Sequence, residues 1–356
     1  MIKIGIITMH RVLNCGSALQ AYALQKSISD LGFKCEIIDY QYGVEKSRGL
    51  KNAIKHIIFA ERNKKFSDFY NAYFNCSQLQ YFKETIKDNP PDYDIYCTGS
   101  DQVWNPRFIE NDTNFMLSFA PDCKPRFSYA ASFTTGEIPK QYISLYKKYL
   151  SKYKFISVRE QSGVQIIQQL LDRKADLVCD PTLLLDNNKW DIIANSQSFQ
   201  QREKYILVYK LGYMFDSRRE VYKITDKVQK ELGYKVYYLN GKHDLFRNGK
   251  KILNFGPSDF INYIKNSAFV ITDSFHGTIF SAIYNRPFIS VVTNKNIKSD
   301  NRISTLLSEI GGEKSLVESW EQLNFAYNYQ ADMTKLKTYS LQSANILKNM
   351  LDLIIK

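Results

Sequence analysis

The sequence predicts an α/β protein built as two Rossmann-like domains facing a cleft. Three observations predict it. Short apolar runs bounded by Gly, Asn, Asp or Pro alternate with stretches of helical period, this alternation restarts after Asp180-Pro181, and 356 residues are enough for two domains of ordinary size. Ile4 to Thr8 reads as the first strand and Ser17 to Leu31 as the helix behind it, with Gly32 as its cap. Lys34 to Asp39 is a second strand. Residues 45 to 90 are rich in lysine and aromatics at helical spacing, and Asp92 to Thr98 returns as a strand. Arg126 to Ser132, Phe155 to Val158 and Asp176 to Cys179 are further short strands. Proline cannot continue a ladder and pushes the residue before it out of the helical region, so the domain boundary is expected at Asp180-Pro181.

The second half then reads as strand 205–209, helix 218–233, strand 235–239, helix 257–267, strand 269–272, helix 278–285 and strand 288–292. A last helix over 335–355 is long enough to pack back across both halves. The expected division is therefore 1–180, 181–334 and a C-terminal helix at 335–356. No internal repeat or low-complexity segment is evident.

Composition narrows the function. The chain is 44% hydrophobic, 24% charged and 14% aromatic, which excludes collagen, coiled coil and disordered tail. It carries a formal charge of +12 and a pI near 9.2, favouring an anionic partner. The charge is not concentrated: residues 1–180 hold 24 Lys/Arg against 19 Asp/Glu, and the remainder 24 against 17. With no zinc-finger spacing, GXXG loop or RNP signature, a nucleic-acid partner is not expected. The N-terminus lacks a cleavable targeting pattern and there is no apolar run of 18 residues, so the expectation is a cytoplasmic protein. Six cysteines stand singly without a CxxC, which predicts reduced, mostly buried thiols and neither zinc nor disulfides. The 25 Tyr and 22 Phe are read as core and core edge, with sugar stacking entertained only at Trp104.

Four segments carry candidate chemistry. Asn14-Cys-Gly16-Ser17 lies between a strand and a helix, where free N–H groups at a helix N-terminus suit an anion; the bland alternative is a turn with a Ser cap. In 93–106 a strand empties into Gly-Ser100-Asp101-Gln102, at the carboxyl edge where open sheets hold ligands, and Trp104 offers a ring face. Capping by Ser100 or Asp101, and a core Trp104, are the alternatives. Arg159 follows a buried strand and calls for an anion, either a ligand or its neighbour Glu160. In 269–281 an apolar strand runs into Asp273-Ser274 and then His276-Gly277-Thr278, placing His276 at a strand-to-helix turn with a positive dipole behind it. His10 closes the first strand and is the second choice; His56 and His243 sit in polar surroundings. There is no GxSxG elbow, HExxH or carboxylate box, so neither a cofactor nor a metal is expected.

Taken together, residues 3–25, 93–106, 129–133, 156–160, 179–185 and 256–288 resemble the polysaccharide pyruvyl transferase family in family order. The resemblance implies a fold similar to the two-domain GT-B glycosyltransferases, with acceptor on the N-terminal side and donor on the C-terminal side of the cleft. It implies transfer of pyruvate from phosphoenolpyruvate to two hydroxyls of a sugar, giving a cyclic ketal in capsule, exopolysaccharide or cell-wall glycan synthesis. It puts the catalytic histidine at His276 and the arginine at Arg159, and a basic residue of the next strand at Lys295, with Lys298 or Arg302 in reserve. Relatives read Arg-Leu-His where this chain has Ser274-Phe275-His276. Converting an enol phosphate to a ketal needs a proton on the methylene carbon, hydroxyl attack, loss of phosphate and closure by a second hydroxyl. His276 is then the acid/base, Arg159 and Lys295 hold carboxylate and phosphate, and Asp101 orients the sugar hydroxyl. Ser274, Gly277, Thr278 and Arg302 are assigned to the donor; Asn14, Gly16, Ser17, Ser100, Gln102 and Trp104 to the acceptor. An acceptor on a lipid diphosphate, and contact with an anionic membrane, fit the diffuse positive charge. Two other readings remain: a nucleotide-sugar glycosyltransferase using Asp273 or Asp259, and a non-catalytic binder of anionic glycan or lipid.

Overall fold

A computed structural model describes residues 1–42, 60–109, 112–194, 203–211, 217–241, 244–293 and 301–356. Strand β1 (Lys3–Ile7) is followed by α1 (Cys15–Asp30), β2 (Lys34–Tyr40), α2 (Ala60–Tyr73), β3 (Cys76–Tyr81), β4 (Ile95–Thr98) and β5 (Arg126–Ser128). The strands lie in the order β3-β2-β1-β4-β5, all parallel. Next come α3 (Ile143–Leu150), β6 (Ser157–Val158), α4 (Gln161–Leu171) and β7 (Asp176–Leu177). The β6–β7 pair continues the first sheet outward through bridges at Phe127–Phe155 and Ala131–Val158.

After a turn at Pro181–Leu184 the chain forms α5 (Asn187–Ala194), β8 (Tyr205–Tyr209), α6 (Arg218–Leu232), β9 (Lys235–Leu239) and β10 (Lys250–Ile252). It continues through α7 (Pro257–Lys265), β11 (Phe269–Thr272), α8 (Phe275–Ile283), β12 (Phe288–Val291), α9 (Arg302–Glu309), β13 (Leu316–Val317) and α10 (Met333–Ile354). This second sheet has the parallel order β10-β9-β8-β11-β12-β13. In both sheets the chain winds outward from one strand and then resumes on its other side, between β1 and β4 and between β8 and β11. Crevices for ligands open at such points, outside the strands' carboxyl ends.

The elements follow from their residues. Strand β8 is buried at every position, as β-rich runs covered on both faces must be, so it reads as a continuous apolar stretch. Helix α6 buries Val221, Ile224, Thr225 and Val228 on one stripe, and Gly233 closes it at φ 69° where a side chain would be strained. Residues 60–73 are helical as their spacing predicts, but 76–81 form an edge strand on β2 instead; residues 43–59 lie outside the described ones. The two-residue strand β13 and three-residue β10 are too short to carry a period and depend on the sheet edge they complete.

A single apolar cluster joins the two halves. It includes Leu19 of α1, Phe66 of α2, Trp190 of α5, Phe260 of α7 and Ile279 and Phe280 of α8. Helix α10 lays Leu347, Met350, Leu351 and Ile354 against Ile4, Ile6, Cys35 and Ile95 of the first sheet, and its Tyr339 reaches the shared cluster. Burying each such aliphatic side chain is worth about 1.5–3 kcal/mol. All six cysteines are free, and four of them are buried. No helix among the described residues is long and apolar enough to cross a membrane.

Candidate active site

The carboxyl edges of both sheets meet around one buried charge network. Its first member comes from the β1–α1 turn. Asn14 caps α1, its Oδ1 accepting the N–H groups of Gly16 at 2.9 Å and Ser17 at 3.4 Å. The cap is thus Asn14 rather than Ser17, and the Ser17 hydroxyl is released to donate to Asp101 Oδ2 at 2.6 Å. Asp101 follows β4, and its Oδ1 accepts from Arg159 Nη2 at 3.1 Å. Arg159 follows β6 and also donates through Nη1 to Asp180 Oδ2 at 2.7 Å. Ser100 Oγ lies 3.0 Å from the same carboxylate oxygen.

Asp180 is the residue that local sequence reasoning missed. It was legible only as half of a chain break, although an acid inside the apolar run Cys179 to Leu185 is itself a signal. Its Oδ1 is fixed by the N–H and hydroxyl of Thr182 at 3.1 and 2.8 Å. Its Oδ2 faces His276 Nε2 at 3.6 Å. That separation is beyond a hydrogen bond, and Nε2 is buried with no other partner among the described residues. A proton on Nε2 would be drawn to a fixed anion. Burial alone would raise the Asp180 carboxyl, but the charges of His276 and Arg159 outweigh it and hold the group well below the usual carboxylate range. Asp101 behaves alike: burial raises it, and Arg159, His276 and the Ser17 hydroxyl pull it down further than that.

His276 lies inside the first turn of α8, which begins three residues earlier than its period predicts because Ser274 caps it by accepting from the Gly277 N–H at 3.2 Å. The imidazole packs directly on Gly16: a Cβ there would lie 2.1 Å from His276 Nδ1. Glycine at 16 is therefore required by contact with the other half of the chain. We expect Gly16→Ala to displace the ring by the order of an ångström and to reduce turnover about a hundredfold, with a stability cost of about 1–3 kcal/mol. Steady-state rates alongside a thermal melt would check this; a fully active Gly16→Ala enzyme contradicts the packing.

Phe275 completes the site as a platform. The Arg159 guanidinium lies 4.5 Å and the Arg302 guanidinium 5.7 Å from its ring centroid. Glu160 does not pair with Arg159. Its Oε1 accepts the N–H groups of Phe133 and Thr134 at 2.7 and 3.3 Å, and burial pushes its carboxyl upward against the pull of Arg159 and Arg302.

Several sequence-assigned roles need correction. Trp104 is wholly buried, against Phe133 and Tyr153, with its indole N–H on the Phe115 carbonyl, so it offers no face to a sugar. Ser100 and Thr278 are also wholly buried; the first bonds Ala130 O, and the second Ser274 O and the Ser290 hydroxyl. Gln102 accepts from Asn105 Nδ2 at 3.0 Å, the Asn14 side chain is used as a cap, and the Gly277 N–H is taken by Ser274. These six hold the site's walls together and have little left to give a substrate. His10 is buried, with Nε2 3.3 Å from Asp39, whose carboxyl also pairs with Arg11. Lys295, Lys298, His56 and His243 fall outside the described residues. Asp273 accepts from the Leu211 N–H and the Ser217 hydroxyl at 2.7 and 2.8 Å, and Asp259 from the Gly256 N–H while pairing with Lys65. Among the described residues no cluster of His, Cys, Asp and Glu could hold a metal ion.

A sequence model of polysaccharide pyruvyl transferases matches residues 14–296, spanning every network residue except Arg302. The chain belongs to the polysaccharide pyruvyl transferase family. Members of this family are transferases acting on polysaccharide, and their fold is shared more widely. The UDP co-structure of MnaA from S. aureus superposes with a TM-score of 0.57 at 12% identity, covering 100% of this chain and 98% of the other. A Methanocaldococcus jannaschii UDP-GlcNAc 2-epimerase in complex with UDP-GlcNAc and UDP gives 0.56 at 12% identity over 98% and 100%. A putative UDP-N-acetylglucosamine 2-epimerase from Listeria monocytogenes gives 0.54 at 10% identity over 96% and 90%. At these identities the likeness is one of fold, two Rossmann-like units of the GT-B kind. Among curated proteins none matches the sequence.

Proposed function

We propose that this pyruvyl transferase family member uses phosphoenolpyruvate and joins its pyruvyl group to two hydroxyls of one sugar as a cyclic ketal. The observation that carries the reading is the array Arg159–Asp180–His276, an ionised carboxylate held by a buried guanidinium and aimed at an imidazole nitrogen with no other partner among the described residues. Such an array stores a proton next to a cleft. His276 delivers it to the methylene carbon of the donor, leaving an oxocarbenium-like centre for the first sugar hydroxyl. Phosphate departs, and the second hydroxyl closes the ring. Of the two hydroxyl protons released, one returns to His276 and the other leaves with phosphate, so the enzyme ends as it began.

Arg159 enters this account as a positioning residue, since both terminal nitrogens are committed to Asp180 and Asp101. The anionic donor falls to Arg302 and to the first-turn N–H groups of α8 at Phe275 and His276, which have no intrahelical acceptor. This arrangement supplies cationic character where Ser274 stands. The carboxylates a nucleotide-sugar enzyme would need for a ribose or sugar, Asp273 and Asp259, are engaged within the fold, which weighs against that reading. A donor panel with a glycan acceptor tests the choice. Acceptor-dependent phosphate release from phosphoenolpyruvate is expected, with nucleotide sugars inert; turnover of a nucleotide sugar with phosphoenolpyruvate inert would overturn it.

A further inference from the structure

We propose that the tip between β9 and β10 is a contact for an anionic lipid bilayer, independent of which donor the enzyme uses. Two large apolar side chains stand side by side there without cover: Leu245 is 64% exposed and Phe246 101%. Single exposed apolar residues are ordinary, but two large adjacent ones this fully exposed are less so. Asp244, next to the pair, is buried; its carboxylate takes the Lys210 ammonium at 2.7 Å and the Tyr222 hydroxyl at 2.7 Å, and its carbonyl accepts from the Arg247 N–H at 2.9 Å. These contacts fix the backbone from which the pair starts.

The surroundings favour lipid over a second protein surface. Between Asp244 and Ile252 the only acid is that buried, neutralised Asp244, against Arg247, Lys250 and Lys251. Arg218 and Arg219 are exposed at the start of α6, whose Asp226 is already paired by Arg247. Apolar side chains projecting from a cationic rim insert at the headgroup boundary while the cations meet anionic headgroups. The chain's +12 charge acts in the same direction. Placement also fits: Lys210 directly follows β8, so the tip leaves the second sheet at its carboxyl edge, the edge on which the cleft opens. Docked there, the enzyme would present the His276 side to a glycan carried on the membrane, and only this last step rests on the function proposed above.

Co-sedimentation of the full chain with phosphatidylcholine vesicles, with and without phosphatidylglycerol, tests the proposal. Binding is expected only with the anionic lipid and should fall steeply with salt. The pair Leu245→Ser and Phe246→Ser should weaken it about tenfold, and Lys250→Gln about fivefold, both with an unchanged thermal midpoint. Binding to neutral vesicles as strong as to anionic ones, no vesicle binding by the wild type, or a double-serine variant that pellets like the wild type would overturn it. So would a dimer in sedimentation velocity that this variant abolishes. None of these outcomes depends on pyruvyl transfer, so failure here leaves the donor assignment standing.

Discussion

Replacing His276 by alanine is expected to lower phosphoenolpyruvate-dependent phosphate release by about 10²–10⁴-fold while leaving the protein folded. The imidazole is the group in the network facing the cleft that can both give and take a proton. Its loss does not strand Asp180, whose two oxygens keep Arg159, Ser100 and Thr182 as partners. Asp180→Asn makes the complementary test. The amide keeps the shape but removes the anion that attracts a proton to Nε2, so the acid form of His276 should be lost at lower pH. The charged groups facing the imidazole are Asp180, Asp101 and, across them, Arg159; removing one negative charge therefore moves the basic limb of the kcat profile downward. A merely structural role for Asp180 would lower stability and leave the profile in place.

Arg159→Ala is expected to cost about 3–5 kcal/mol of stability as well as activity, the largest structural effect of any substitution in the site. The reason is the two carboxylates left behind, both buried and both without their principal cation. The sign of the pH dependence follows. Native Asp180 and Asp101 lie below their unfolded values, so the stability they contribute is complete above the ordinary carboxylate range and is lost as pH falls toward the depressed native values. Arg159→Ala should shrink that acid-labile portion to what His276 and the hydroxyl and N–H donors still supply. Arg159→Lys should recover only part of it, because one ammonium cannot match two carboxylates held by a planar fork. Denaturant unfolding at pH 7 and at about pH 2 measures both; a variant as stable as the wild type at pH 7 would remove the network from the account.

The alternation of apolar runs and helical periods made both sheets legible, because β4, β8, β11 and β12 are buried at every position and read as continuous runs. Edge strands were not: β3 borrows its order from β2, and its Cys76–Tyr81 segment is mostly exposed. The site was legible as turns following strands, since parallel sheets put their strand ends along one edge. What local reading could not supply were the partners. Arg159 meets Asp180 and Asp101, 21 and 58 positions away, while the adjacent Glu160 turns to a different loop. Trp104 misled for a related reason: it lies after a turn at the sheet's carboxyl edge, but the chain there dives back beneath Phe133 and Tyr153. Gly16 shows the same dependence on distant sequence, its need for a hydrogen side chain being set by a histidine from the other half of the molecule.

The most direct test of proton delivery to the donor's methylene carbon is the product's isotope pattern when phosphoenolpyruvate and a glycan acceptor are turned over in D₂O. The account predicts a cyclic ketal whose methyl group carries one solvent deuterium, released together with an equivalent of phosphate and absent with His276→Ala. A glycosylated product, or phosphate release without a deuterated ketal methyl, would contradict it.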